Sequence, residues 1–248
     1  GAECHLPVRK AQLADTHAPA VMVPLRFVFA GLIALLVGAG LLIARPDLLA
    51  AYHYNQYVIA ATHLFVLGFI CTVVMGAMYQ LVPVALETRL HSVKLARWQF
   101  LAHTVGFAGM VGMFWKWDMK QVGHFASVLA LGVGWFVYNM TRTLRTIPRW
   151  NVVAFGIASS LAWLSLTILA GLFLAATKCW TFSPFDTVAA MHAHAHLGVV
   201  GVFLILIVAV SFKLVPMFVL SELQSPRRAA WSVGLLNAGL LGSRSEEH

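Results

Sequence analysis

Three histidines lie within five residues of an otherwise apolar stretch of this chain, at His192, His194 and His196. Ionisable side chains at membrane depth are costly, so they usually face the interior of a helix bundle and a partner group. In an α-helix each residue turns by about 100°, so His192 and His196 share one face while His194 points roughly the other way. A helix with this pattern can therefore present imidazoles to two separate sites.

A fourth histidine, His63, opens a similar stretch earlier in the chain. His63-Leu-Phe-Val-Leu-Gly matches His196-Leu-Gly-Val-Val-Gly at His, Leu, Val and Gly, and both stretches end in Leu-Val-Pro without a gap. The offset between them is 133 residues, and Trp98 and Trp231 keep the same offset downstream. We interpret this self-similarity as a four-helix unit that is repeated at least once.

These histidines predict a cofactor, and haem suits the setting best. Neutral imidazole binds haem iron, copper and zinc alike. Haem is large and apolar, fits between helices, and takes axial histidines from two different spans. We expect His63 and either His194 or His196 to be the axial ligands of a six-coordinate b-type haem. The residues considered as metal ligands are His63, His192, His194, His196 and His124.

Other side chains of these helices have simpler interpretations. Taken alone, His103 and His124 are better explained as hydrogen-bonding to a neighbouring helix than as metal ligands. Arg45, Lys116 and Lys178 are candidates to pair with haem propionates. The aromatic residues near the outer helix ends indicate a membrane-interface belt: Tyr52, Tyr54, Trp115, Trp117 and Trp180. Glycines such as Gly106, Gly109, Gly112, Gly132 and Gly134 predict close helix approach.

The elements that position these residues are membrane spans. The 248 residues are 60% hydrophobic and 10% charged, and the mean hydropathy is +0.81, whereas soluble domains carry about 25% charged residues. A crossing helix needs about 20 apolar residues. We predict an all-α, polytopic transmembrane bundle of about seven helices, with spans near 24–44, 56–86, 98–115, 122–141, 152–177, 187–219 and from 229 onward.

The basic residues indicate how this bundle is oriented. If the N-terminus is cytoplasmic, eleven lysines and arginines lie on the inner side and four on the outer side, which is a clear positive-inside asymmetry. The net charge of +8 is therefore mostly topology, and we expect the lipid bilayer, not nucleic acid, as the partner. This topology places the four histidines above in the outer half, with His53 and His124 also outside and His91 and His103 inside.

Three segments follow from this pattern. Residues 1–23 are predicted to be a short cytoplasmic segment, residues 24–242 the transmembrane haem-binding bundle, and residues 243–248 a tail. The apolar run from Ala229 to Gly242 is too short to cross a hydrocarbon core about 30 Å thick. We therefore expect the seventh span to be incomplete, with the tail truncated or discontinuous.

The histidine pattern resembles the haem-copper oxidase subunit I superfamily, above all its cytochrome cbb-type branch. That family has twelve helices in three four-helix units, and its second helix carries a low-spin haem histidine where His63 stands. Its tenth helix carries a His-x-His pair, which His194-Ala-His196-Leu-Gly followed by Leu214-Val215-Pro216 resembles, although helix counting makes this the sixth helix, whose family counterpart carries a copper ligand. The family's seventh helix supplies two copper ligands, whereas residues 229–242 contain no histidine.

The resemblance implies a function at the bacterial inner membrane. It implies one haem b, or two, and allows copper, with electron transfer or O2/NO reduction of the terminal oxidase or nitric oxide reductase type. Partner subunits or a cytochrome c-type electron donor would go with that activity. Related membrane proteins of nitric-oxide response keep the same outline, so haem or copper handling, sensing or transport is the non-enzymatic alternative. A structural subunit with packing histidines is the third interpretation.

Overall fold

A computed structural model describes residues 21–180 and 186–242. Within these ranges the fold is seven helices and no strand, which confirms the all-α prediction. Residues 1–20 of the predicted segment 1–23, and the whole predicted tail 243–248, lie outside the described residues. The helices are α1 (Met22–Ala44), α2 (Gln56–Ala85), α3 (Val93–Lys116), α4 (Met119–Leu144), α5 (Val152–Trp180), α6 (Thr187–Phe218) and α7 (Pro226–Gly242).

Five of the seven helices, α1, α2, α4, α5 and α6, are long and apolar enough to cross a membrane. Helix α3 has 24 residues, enough for about 36 Å at 1.5 Å per residue, but it is less apolar because Lys94, Arg97, Gln99 and His103 belong to it. Helix α7 has 17 residues. The multi-pass architecture is therefore supported by five spans, one fewer than the six complete spans that apolar length predicted.

Apolar side chains of these helices point outward as well as inward. On α1, Phe29, Leu36 and Ile43 are 61%, 72% and 82% exposed. A soluble protein rarely leaves a contiguous surface of this kind uncovered, whereas lipid tails are a favourable environment for it. The outer surface of the bundle is therefore suited to contact with a bilayer.

Helices that follow one another in the chain pack side by side. Helices α1 to α4 form one group, α4 packs against α5, and α5, α6 and α7 form the second group. Serine caps begin the corresponding third helices of the two groups: Ser92 accepts from the Leu95 amide before α3, and Ser225 from the Arg228 amide before α7. The hydroxyl caps the first free amides, so α3 begins at Val93, five residues before the predicted start.

Two of the helices share an unusual interruption. In α2 the segment Leu64–Cys71 is a π-helix, and in α6 the segment Leu197–Leu204 is another. Each has eight residues and begins directly after a histidine, His63 or His196, so the two segments keep the 133-residue offset of the sequence repeat. Since π-helical turns are rare and often lie at functional sites, these segments draw attention to the histidines that precede them.

The same offset recurs after the two helices end. Glu87 and Leu220 are both left-handed residues with φ of 51°. The amide of Thr88 donates to the Pro83 carbonyl over 2.9 Å, and the amide of Ser221 donates to the Pro216 carbonyl over 2.9 Å. The repeated sequence segments therefore share backbone conformation as well as residue types.

Glycines allow α3 and α4 to approach closely. A β-carbon at Gly106 would lie 2.5 Å from the Leu129 backbone nitrogen, and one at Gly132 would lie 2.8 Å from the His103 backbone nitrogen. Gly109 packs against the Phe125 ring. The predicted role in helix approach thus holds for these three glycines. Gly112 and Gly134, by contrast, have no neighbour within 4 Å of a β-carbon.

We expect Gly106→Ala to destabilise the bundle by about 1–3 kcal/mol, because the added methyl group meets the Leu129 backbone, which cannot move as a side chain can. Gly112→Ala on the same helix meets nothing, so it should be neutral or stabilising by up to about 1 kcal/mol. Unfolding of both variants in detergent micelles measures the difference. Equal stabilities would contradict the close packing of α3 on α4.

Candidate functional site

A cavity of about 500 Å³ lies between α2, α4, α5 and α6, with the end of α3 at its mouth. Drug-sized and cofactor ligands occupy cavities of roughly 300–1,000 Å³ that are mostly apolar with a few polar groups. The apolar lining includes Val58, Ile59, Val66, Leu67, Met110, Phe114, Val122, Ala126, Leu129, Leu164, Ile168, Leu172, Met191, Val199, Val202 and Phe203. The histidines that line it are His53, His63, His192 and His194.

His63 lines this cavity with one ring nitrogen already engaged. Its Nδ1 lies 2.8 Å from the Ile59 carbonyl oxygen. A carbonyl only accepts, so Nδ1 carries the proton and Nε2 of the neutral ring keeps its lone pair. The ring also packs on Phe114, with 4.9 Å between ring centroids. His63 is therefore oriented and in the tautomer that ligates a metal through Nε2.

His194 enters the same cavity from α6. It packs over Gly171 of α5, where a β-carbon would lie 3.1 Å from its Cε1 atom. Its buried Nδ1 has no hydrogen-bond partner among the described residues. A buried polar atom without a partner costs about 1–3 kcal/mol, which a bound group in the cavity would relieve.

The two alternatives for the second axial ligand lie in different surroundings. His194 lines the cavity together with His63. His196 is exposed and lies outside the cavity lining. Its Nδ1 donates to the His192 carbonyl over 2.9 Å, which is the bond that His63 makes to Ile59. His196 therefore makes the same bond to its own helix as His63 does, but it does not line the cavity.

The three cations considered for propionates lie in different places. Lys178 lines the cavity, with its Nζ 5.2 Å from the Tyr54 ring centroid. Arg45 is outside the lining and bonds both oxygens of Asp47, Nε to Oδ1 over 2.9 Å and Nη2 to Oδ2 over 2.8 Å. Lys116 is exposed at the end of α3 and is not part of the lining. Of the three, the structure brings only Lys178 to the histidines.

The hydrogen bond from Arg45 lowers the pKa of the Asp47 carboxyl. Any stability from this pair is therefore present above the ordinary carboxyl pKa and is lost as the pH falls through the lowered pKa of Asp47. We expect Arg45→Gln to raise the Asp47 pKa toward its ordinary value, as followed by carboxyl NMR titration. An unchanged Asp47 pKa would contradict the pairing.

The other predicted ligand, His124, is exposed on α4, with its Nδ1 3.3 Å from the Gln121 Oε1 atom, and it lies outside the cavity lining. In the described part of the chain, no group of three or more His, Cys, Asp or Glu residues is arranged to hold a metal ion. Two of the imidazoles in the cavity come from different membrane-spanning helices, His63 from α2 and His194 from α6.

His103 is buried on α3 and contacts polar groups of the neighbouring helix α2, as predicted for a histidine that hydrogen-bonds between helices. Its Nε2 lies 2.9 Å from the Thr72 hydroxyl and 3.2 Å from the Leu67 carbonyl, which also accepts from Thr72 over 2.8 Å. Leu67 belongs to the π-helical segment, whose wider turn frees carbonyls from the α-helical ladder. This polar cluster satisfies the interrupted part of α2 next to the cavity.

Sequence reasoning missed several residues of the site. Gly171 was not considered, although it is the contact that seats the His194 ring. Tyr54 and Trp117 were assigned to the lipid interface, yet they line the cavity and contact each other edge-on, at 6.5 Å and 87°. Aromatic type and position near a helix end are the same in both roles, so only the tertiary fold distinguishes them.

Comparison of the chain with protein-family models, curated proteins and solved structures finds no match. The resemblance to the haem-copper oxidase superfamily therefore stays a prediction.

Proposed function

We propose that this chain is a b-type haem protein of the bacterial inner membrane, with its N-terminus in the cytoplasm and with His63 and His194 as the axial ligands. The observation that carries the proposal is the placement of these two imidazoles, from α2 and α6, in one apolar cavity. When bound, the haem would supply one-electron transfer by its iron. The derivation from a haem-copper oxidase subunit I fold is part of the same proposal.

The residues around each ligand support this assignment. The Ile59 carbonyl holds the His63 ring through Nδ1, and such an acceptor orients a ligating imidazole and raises its basicity. Gly171 leaves room for the His194 ring against α5. Both imidazoles are thus positioned by residues of the cavity wall.

The mouth of the cavity suits the polar edge of haem. Lys178 supplies a positive charge there, next to the Tyr54 ring, and a lysine ammonium pairs with carboxylates such as propionates. Deeper in the cavity, the walls are aliphatic and aromatic. Such apolar walls would exclude water from the haem iron, and their low dielectric would influence its reduction potential.

Axial ligation by two histidines favours electron transfer at this site. His63 and His194 would hold the haem between them, and the group would then supply electron transfer. His196 makes the same Nδ1 hydrogen bond as His63, but it is exposed and lies outside the cavity lining, so it is not part of this site.

The experiment is purification of the protein followed by haem and metal analysis. We expect the Soret and α bands of six-coordinate b haem after reduction with dithionite, and a pyridine haemochrome that gives at least one haem per chain. A protein without haem absorbance but with stoichiometric copper or zinc would overturn the proposal and favour metal handling. CO binding to the reduced protein would show an open position on the iron and would contradict ligation by both His63 and His194.

A further inference from the structure

Two histidines outside the proposed axial pair meet at the mouth of the cavity. His53 precedes α2, and His192 lies in the first turns of α6. Their ring centroids are 5.5 Å apart and the ring planes are inclined by 34°. Both rings are exposed and both line the cavity. Two elements that are far apart in the chain therefore place two imidazoles side by side.

The spacing of the two rings fits a shared metal ion. Zinc binds imidazole nitrogen at about 2.1 Å, so two rings on one ion at a tetrahedral angle have centroids roughly 5 Å apart. The observed 5.5 Å is within a small side-chain adjustment of this value. Exposed histidines change rotamer readily, so the nitrogens of both rings can turn toward one ion.

The residues around His53 and His192 favour the binding of a metal cation over an ion pair with a carboxylate of the protein. Within the described residues the ring contacts of His53 are with Tyr52, at 4.3 Å between centroids, and with His192. No carboxylate of the described residues pairs with either imidazole. Imidazole is a preferred ligand of zinc, copper and nickel.

We propose that His53 and His192 form a two-histidine site for a transition-metal cation of the class that imidazole prefers, at the outer mouth of the cavity. Water would complete the coordination shell, because both rings are exposed, so the ion exchanges with the outside solution. A bound ion ties the segment before α2 to α6. The site uses neither His63 nor His194, and it stands whether or not the cavity holds haem.

The test is Zn²⁺ binding to the purified full chain in detergent, by competition with a chromophoric chelator. We expect His53→Ala and His192→Ala each to weaken the affinity of one site at least about tenfold, since each removes half of the protein ligands. His124→Ala is the matched control, because His124 is also exposed and lies outside the mouth; its affinity should be unchanged. X-ray absorption should show two imidazole nitrogens on the bound zinc.

The outcomes separate this site from the haem proposal. If both single variants bind Zn²⁺ as tightly as the unmodified chain, the two-histidine site is wrong, whatever the haem content. If binding is lost only in His53→Ala and His192→Ala while haem absorbance is retained, both proposals stand. Because the two side chains are exposed, circular dichroism and gel filtration of the variants should match those of the unmodified protein.

Discussion

Under the proposed haem ligation, replacing His63 with alanine is expected to abolish the low-spin spectrum, and replacing His194 is expected to do the same. Each substitution removes one of the two proposed axial ligands, and the other two histidines of the lining, His53 and His192, are exposed. The iron would then be five-coordinate and high-spin, or the haem would be lost. Optical and EPR spectra of the purified variants, with haem content per chain, measure the effect, and occupancy should fall by about tenfold or more.

The matched controls for these variants are His196→Ala and His124→Ala. His196 lies two residues from His194 on the same helix but outside the cavity, and His124 is exposed on α4. Both variants should keep the low-spin signal. If His196→Ala removes that signal while His194→Ala keeps it, the assignment of the second ligand is wrong and the rotation of α6 must differ.

Gly171→Leu is expected to exclude the cofactor while leaving the protein folded. A β-carbon at this position would already lie 3.1 Å from the Cε1 atom of His194, and the rest of a leucine side chain would extend into the cavity. Leucine favours the helix by about 0.8 kcal/mol over glycine, and the cavity has room for the side chain. We therefore expect haem content to fall sharply, with helical content retained.

The control for this variant is Gly112→Leu, because a β-carbon at Gly112 has no neighbour within 4 Å. Haem per chain and circular dichroism of the two variants should be compared with those of the unmodified protein. Full haem content in Gly171→Leu would show that the cofactor does not occupy the space beside His194. Loss of helical content in both variants would show instead that leucine is not tolerated on either helix.

The helices of this fold follow from the sequence because apolar length is a strong signal in a membrane protein. The predicted limits 56–86 and 187–219 agree with α2 and α6 to within one residue. The start of α3 was missed because Lys94 and Arg97 interrupt the apolar run, although Ser92 caps the helix before them. Polar residues in a first turn lie at the membrane surface, so hydropathy alone does not mark the helix end there.

The choice between His194 and His196 was beyond the sequence. Both lie at one depth on one helix, and their difference is an angle of rotation that apolar length does not report. The π-helical segment after His196 also changes the rotation of the rest of α6 relative to its first turns. Hydrophobic periodicity assumes a constant turn per residue, so an interruption of this kind escapes it.

The three cations considered for haem propionates do not meet at one site, and the reason is related. Arg45, Lys116 and Lys178 lie on one side of the membrane in the predicted topology, and side alone does not say which cations reach a common site. Arg45 has a nearer partner in Asp47, two residues along the chain. A pair of opposite charges two residues apart can be predicted from the sequence. For Arg45, pairing with Asp47 is therefore a better prediction than pairing with a propionate.

The most direct test of the central claim is the identity of the axial ligands in the purified, oxidised protein. Low-temperature EPR together with near-infrared magnetic circular dichroism distinguishes ligation by two histidines from other axial pairs. If His63 and His194 both ligate haem iron, we expect a low-spin ferric signal with the charge-transfer band of two neutral imidazoles. This signal should be lost in both His63→Ala and His194→Ala. A purely high-spin signal, or axial ligation by another residue type, would contradict it.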